Sequence, residues 1–219
     1  MRPTSPEGPR QSRWDQRYQS EGDGAFSWTE LADSLSLNWI VDTVGVDARI
    51  ADVGAGRSLL IDQLLARGFE HLSHIEWSGQ ASVDVRARLG SSAEAVDWVV
   101  GDVCTWRPEV PIDLWHDRAV FHFQTTESEI QHYLRALDDA VVSNGYALVA
   151  TFHLDGPNQC SGFPVVRYDA ESLLAAFHQW THSTWALARE EIHAHQTPAG
   201  QIQLFQYALL RKLSSAKNR

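Results

Sequence analysis

Lysine is nearly absent from this chain: Lys212 and Lys217 are the only two in 219 residues. Basic residues number 18 against 28 acidic ones, a formal net charge of -10. Capture of nucleic acid or of an anionic membrane by charge needs clustered Lys and Arg, so this balance counts against both as partners. Cysteine is equally scarce. Cys104 and Cys160 are too few and too far apart for a disulfide framework or a Cys-based zinc site, and a reducing cytoplasm is the expected compartment. No apolar run approaches the roughly 18 residues of a spanning helix. The opening MRPTSPEGPRQSR has three prolines and no apolar core, so neither a signal peptide nor a membrane anchor is expected there.

What is present fits one soluble domain. The composition is 43% hydrophobic and 21% charged, ordinary for a globular chain long enough to bury a substantial core. Residues 1–11 are expected to be a disordered tail, 12–211 a single domain and 212–219 a basic tail. Between the basic ends, residues 21–210 hold 10 basic and 26 acidic residues, so the body is strongly acidic and suits a basic or small-molecule partner.

The order of elements points to an α/β fold. An amphipathic helix over about 30–44 precedes a short apolar strand, ARIADV, that runs into glycines at 54 and 56. A helix follows over 58–68. Then come a strand at 71–77, a helix ending at Gly90, strands in AVDWVVGD and IDLWHD, a helix over 127–145 stopped by Gly145, and a strand in YALVATF. Alternation of this kind implies a doubly wound, mostly parallel sheet. After the loop at 155–166 and a short helix opened by Asp169, two strand-like stretches flank TPAG and read as an antiparallel hairpin.

The chemistry concentrates where strands end. DVGAGRS places Asp52 and two glycines between a strand and a helix, where the backbone approaches a ligand closely and N–H groups face an anion. A dinucleotide fingerprint needs a third small residue, and position 59 is Leu, which counts against NAD. Glu76 ends the second strand, where a carboxylate accepts from both ribose hydroxyls. Asp102 follows the third, placed to accept from an adenine amino group. His116 and His122 flank Asp117 at a spacing that matches no metal-ligand motif, and no metal is expected. Cys160, His193 and His195 read as packing or structural residues.

Three acids after three successive strands, with DVGAG and the terminal hairpin, resemble the class I S-adenosylmethionine-dependent methyltransferases over about residues 30–211. DLWHDRAVFHF, TFHLDGPNQCSGFPVVRYD and HQTPAGQIQLFQY resemble a bacterial branch of that family. WDQRY at 14–18 resembles an entry segment shared with eukaryotic protein-lysine methyltransferases. The resemblance implies a Rossmann-like seven-stranded sheet and S-adenosyl-L-methionine as cofactor. It implies that Gly54, Ala55 and Gly56 approach the methionine part, that Glu76 holds the ribose with Trp77 on the adenine, and that Asp102 and Val103 read the adenine edge. Asp52, His116, Trp14 and Tyr18 fall on the cofactor side. Asp117 and Arg118 are the expected catalytic pair, Asp117 orienting an amine or removing its proton, while Trp14, Tyr18 and Phe121 offer aromatic faces to a cation.

Methyl transfer from a sulfonium is an in-line displacement on an activated carbon, so alignment and exclusion of water carry it. The expected acceptor is a protein amine or a small molecule, and the chain is expected to be a monomer or dimer. A non-catalytic S-adenosylmethionine-binding protein and a nicotinamide oxidoreductase are the competing readings.

Overall fold

The computed structural model describes residues 7–20, 26–29 and 34–214. Along them run α1 (Glu7–Ser20), α2 (Leu35–Thr43), β1 (Arg49–Val53), α3 (Leu60–Leu65), β2 (His71–Glu76), α4 (Gly79–Leu89), β3 (Val96–Val100), β4 (Ile112–Arg118), α5 (Glu127–Ala140) and β5 (Val141–Phe152). Then follow β6 (Gln159–Cys160), β7 (Phe163–Pro164), α6 (Ala170–Trp180), β8 (Trp185–Gln196) and β9 (Ile202–Lys212). Seven strands form one sheet in the order β3-β2-β1-β4-β5-β9-β8. The pairs from β3 to β5 are parallel, and β9 runs antiparallel to both β5 and β8. This is the doubly wound α/β sheet with a terminal hairpin that the alternation predicts.

The pleat decides what each face buries. Ala51, Trp115, Ala147 and Val149 point to a face covered by Leu134 and Leu137 of α5 and Leu173 and Phe177 of α6. Ile50, Leu114, Leu148 and Ala150 point to the other, covered by Leu37, Trp39 and Ile40 of α2 and by α3. Near-continuous apolar strands are what a parallel sheet covered on both faces requires. Strand order reverses between β1 and β4, and the crevice outside the carboxyl ends of strands at such a point is where ligands bind in open α/β sheets.

Several boundaries differ from the sequence expectation. The helix expected over 127–145 ends at Ala140, and β5 begins at Val141, because β-branched Val141 and Val142 favour a strand. The chain turns through Asn144, with φ +68°, where the β4–β5 register shifts. The helix expected from Ser58 is the six-residue α3, starting at Leu60. At the N-terminus, residues 7–11 of the expected tail belong to α1, while residues 1–6 lie outside the described residues. Lys212 ends β9, its ammonium donating to the carbonyls of Asp138 and Val141, at 2.5 and 2.9 Å, so it is held and not part of a tail. Residues 30–33 of the first predicted helix also lie outside the described residues. No helix among those described is long and apolar enough to cross a membrane.

Candidate functional site

A cavity of about 540 Å³ opens at the β1/β4 switch point. Its floor is the sheet's carboxyl edge: Val53 and Gly54 at the end of β1, Glu76 and Trp77 at the end of β2, Gly101 to Thr105 after β3, and Arg118 to Val120 at the end of β4. Of the predicted residues, Trp14, Tyr18, Gly54, Glu76, Trp77, Asp102, Val103 and Arg118 line this cavity together. Asp52, Ala55, Gly56 and His116 line a smaller neighbouring one of about 190 Å³, which shares Val53, Gly54, Trp28 and Arg118 with it.

Glu76 is fixed by the backbone. Its two carboxylate oxygens accept from Gly56 N–H at 2.9 Å and Ser78 N–H at 2.8 Å, so the acid also clamps the glycine turn. Burial raises its pKa, and the backbone N–H bonds oppose that rise. Asp102 accepts from Cys104 N–H at 2.9 Å through Oδ1. The glycine turn needs its glycines twice over. Gly54 and Gly56 have φ of +59° and +54°, and an added Cβ would stand 2.1 Å from Val120 Cγ2 at the first and 2.5 Å from the Tyr18 hydroxyl at the second. The N–H groups of Ala55 and Gly56 are already bonded to Ile75 and Glu76.

His116 has both ring nitrogens engaged, Nδ1 with Asp52 at 2.7 Å and Nε2 with the Ser36 hydroxyl at 2.9 Å. That chain ties β1 and β4 to α2. It places His116 behind the glycine turn as a support for Asp52.

Asp117 corrects the expected catalytic pair. It is fully buried and lines neither cavity. Its oxygens accept from Val120 N–H and Phe121 N–H, both at 2.8 Å, and from the Tyr133 hydroxyl. Burial pushes its pKa up to about 6 against the hydrogen bonds from Tyr133, Val120 and Phe121, which lower it. A carboxylate held this way shapes the turn after β4 and reaches neither cavity. Phe121 is likewise core, packed on Tyr133 and Tyr168. Phe123, two residues on, is the ring that reaches the cavity. Arg118 does line it, its Nε donating to the Tyr207 hydroxyl at 3.0 Å and Nη1 to the Trp28 carbonyl at 2.8 Å.

The roof is made of pieces far apart in sequence. Trp14 of α1 meets Trp28, Phe123 and Phe163 with ring centroids 5.8, 5.7 and 5.9 Å away. α1 is held down by Gln11, which donates to the Trp77 carbonyl, and by Asp15, which accepts from Ser78 Oγ at 2.6 Å. The loop at 155–166 contributes Cys160, Phe163 and Pro164 through the β6–β7 hairpin. Trp28, Phe123 and Phe163 are site residues that the motif reading passed over. No spacing rule links them, and isolated aromatics read as core.

No protein-family model matches the chain. A methyltransferase of Neurospora crassa, srdJ, is 26% identical over 181 residues, 78% of this chain and 73% of that protein. Among solved structures, the Burkholderia thailandensis 1,6-didemethyltoxoflavin-N1-methyltransferase, bound to 1,6-didemethyltoxoflavin and S-adenosylhomocysteine, superposes with TM-score 0.70 at 18% identity, over 94% of this chain and 88% of that one. The N-methyltransferase NodS of Bradyrhizobium japonicum, in complex with S-adenosylhomocysteine, gives 0.69 at 12% identity, over 93% and 99%. The chain has the Rossmann-like fold of the class I S-adenosylmethionine-dependent methyltransferases.

Proposed function

We propose that this protein is an S-adenosylmethionine-dependent methyltransferase acting on a small-molecule acceptor. The observation that carries the reading is the meeting of Glu76, Asp102 and the Gly54 turn around one cavity at the strand-order reversal. The donor set suits the cofactor. A backbone-anchored carboxylate at the end of β2 accepts from vicinal hydroxyls, Asp102 accepts from an exocyclic amine, and Trp77 and Val103 supply apolar faces for a purine. When bound, the cofactor supplies an electrophilic methyl group on a sulfonium.

The chain's own residues orient and enclose. Glu76 and Asp102 fix the two ends of the nucleoside, the Gly54 turn lets backbone approach the remainder, and α1 with the β6–β7 hairpin excludes water from the reacting atoms. With Asp117 sequestered, the catalytic role falls to placement, with Arg118 as the charged side chain on the wall shared by both cavities. The small-molecule acceptor is favoured by the roof, which is bounded by α1 and the hairpin. It is also in keeping with the compound named in the 1,6-didemethyltoxoflavin-N1-methyltransferase structure.

Calorimetric titration of the full chain with S-adenosylmethionine and S-adenosylhomocysteine tests the reading. Micromolar binding of both is expected, and absence of binding by folded protein overturns it. Transfer of labelled methyl into a small-molecule extract separates an enzyme from a cofactor-binding protein without turnover.

A further inference from the structure

On the sheet face under α2 and α3, Ile50, Leu72 and Leu114 are partners across β1, β2 and β4, and all three are buried apolar side chains. Two residues further along, toward the carboxyl edge, the same face turns polar. His74, Asp52 and His116 stand side by side on these strands, and each is 5% exposed or less. Burying three ionisable groups where the apolar layer would otherwise continue costs free energy unless hydrogen bonds offset it. Asp52 and His116 bond each other, Ser58 donates to Asp52 Oδ2 at 3.4 Å, and His116 meets Ser36. His74 is different.

Only one of its ring nitrogens is engaged. Nε2 lies 3.1 Å from the Gly56 carbonyl, while Nδ1 is buried with no hydrogen-bond partner among the described residues. A carbonyl can only accept, so Nε2 carries the proton and Nδ1 keeps a lone pair that meets no donor. Burial lowers the pKa, against the pull of Asp52 and of the Gly56 carbonyl, which keeps the ring neutral at pH 7. The ring packs on Trp98 with centroids 4.7 Å apart. An apolar side chain would fill that space without stranding a nitrogen. What the histidine supplies and an apolar residue does not is the bond to Gly56.

That bond completes a grip on one residue of the glycine turn. Glu76, two residues after His74 and therefore on the same side of β2, accepts from Gly56 N–H at 2.9 Å. Both backbone polar groups of Gly56 are thus held by alternate side chains of a single strand. Gly56 sits at φ +54°, a conformation with little intrinsic preference to hold it, and it lines the smaller cavity beside Gly54 and Ala55. His74 itself lines neither cavity.

We infer that His74 is a positioning residue for the cofactor, fixing the Gly56 peptide so that the glycine turn keeps the shape against which the cofactor seats. This role rests on the methyltransferase reading. It adds to that reading a residue that acts on the cofactor through Gly56 without touching it.

The test compares the full-length wild type with His74→Met and His74→Gln, two side chains of similar length of which only glutamine offers an N–H in place of Nε2. Amide hydrogen exchange on the ligand-free proteins reads the turn, and calorimetry with S-adenosylhomocysteine reads its consequence. In His74→Met the N–H groups of Gly56 and Ser58 are expected to exchange at least tenfold faster and the ligand to bind about tenfold more weakly. His74→Gln is expected to return both to within threefold of wild type. If His74 merely filled the core beside Trp98, apolar methionine would be the better substitute and the order of the two variants would invert. That inverted order, or wild-type exchange and affinity in His74→Met, overturns the inference. Should His74→Met not fold, a loss of affinity beyond threefold in folded His74→Gln overturns it as well. Failure of wild type to bind S-adenosylhomocysteine overturns the methyltransferase reading instead, so the two failures are told apart.

Discussion

The floor and the roof of the cavity are built on opposite principles. Each acid of the floor sits at the end of a strand whose neighbours are fixed by sheet hydrogen bonds, and each is further tied to a backbone N–H: Glu76 to Gly56 and Ser78, Asp102 to Cys104. The roof has no such frame. Trp14, Trp28, Phe123 and Phe163 come from four segments and are positioned by one another's faces and edges. A floor held by directional bonds to the sheet is suited to one constant ligand, and a roof held by ring packing can be altered without disturbing the sheet beneath it. Substitutions in the floor should therefore act on cofactor binding, and those in the roof on the acceptor alone.

The strongest challenge to that division is Glu76→Ala. It removes the acceptor for the ribose and releases the N–H groups of Gly56 and Ser78. Hydrogen bonds to a charged group are worth about 1.5–3 kcal/mol each, so affinity for S-adenosylhomocysteine should fall by about 100-fold, read by calorimetry. A change below fivefold would mean that the floor is not where the cofactor is held.

Asp117 sharpens the comparison because it lies under both parts, holding the turn that carries Phe123 into the roof. Its pKa of about 6 exceeds the roughly 3.9 of an unfolded Asp. Between those values the folded chain binds a proton that the unfolded chain has released. Its contribution to stability is therefore full below about pH 4, declines as pH rises to about 6, and is flat above, a fall of about 3 kcal/mol. Asp117→Asn lacks that decline, so the melting temperature of wild type minus that of the variant should fall as pH rises from about 4 to about 6. A difference that stays flat over that range would show that folding does not raise the pKa of this carboxyl.

The floor was legible in the sequence because strand ends announce themselves. ADVGAG, HIEW and VVGD each show an apolar run stopping at an acid or glycine, and parallel strands bring those stops to one edge. The sheet order and hairpin followed from the same alternation. Asp117 was misread because it too stands at a strand end. Only the three-dimensional turn shows its carboxylate curled back onto Val120, Phe121 and Tyr133. Phe121 and Phe123 exchanged roles because the short turn over 121–123 buries the first ring and presents the third residue, a detail the FHF string does not encode. Helix ends suffered for a related reason. Val141 extends the helical pattern of α5 in apolarity, yet its branched side chain and its place beside Ile112 make it the first residue of β5.

Asp102→Ala should have a smaller effect than Glu76→Ala. One carboxylate oxygen already serves Cys104 N–H, leaving the other for the ligand, and Asp102 is only half-buried, so water competes for that bond. A loss of about tenfold in S-adenosylhomocysteine affinity is expected, with adenine analogues lacking the exocyclic amine binding wild type and variant alike. Retained discrimination against those analogues in the variant would place the amine elsewhere.

Trp14→Ala is the smallest expected effect on the cofactor and the sharpest on the division itself. The ring packs on Tyr18, Trp28, Phe123 and Phe163, so its loss opens the roof. α1 keeps its other ties, through Gln11 to Trp77, Asp15 to Ser78 and the Tyr18 carbonyl to Arg57. Because those ties leave Tyr18 over Gly56, the cofactor side of the cavity should stay closed, and S-adenosylhomocysteine affinity should change less than about threefold, under 0.7 kcal/mol. Transfer of methyl into a small-molecule extract should fall at least tenfold, since a partly buried Trp face contributes about 0.5–1.5 kcal/mol in ring pairing beyond its apolar area. Equal losses in cofactor affinity and in methyl transfer would mean that α1 closes over cofactor and acceptor as one unit, and the floor and roof would then be a single binding surface.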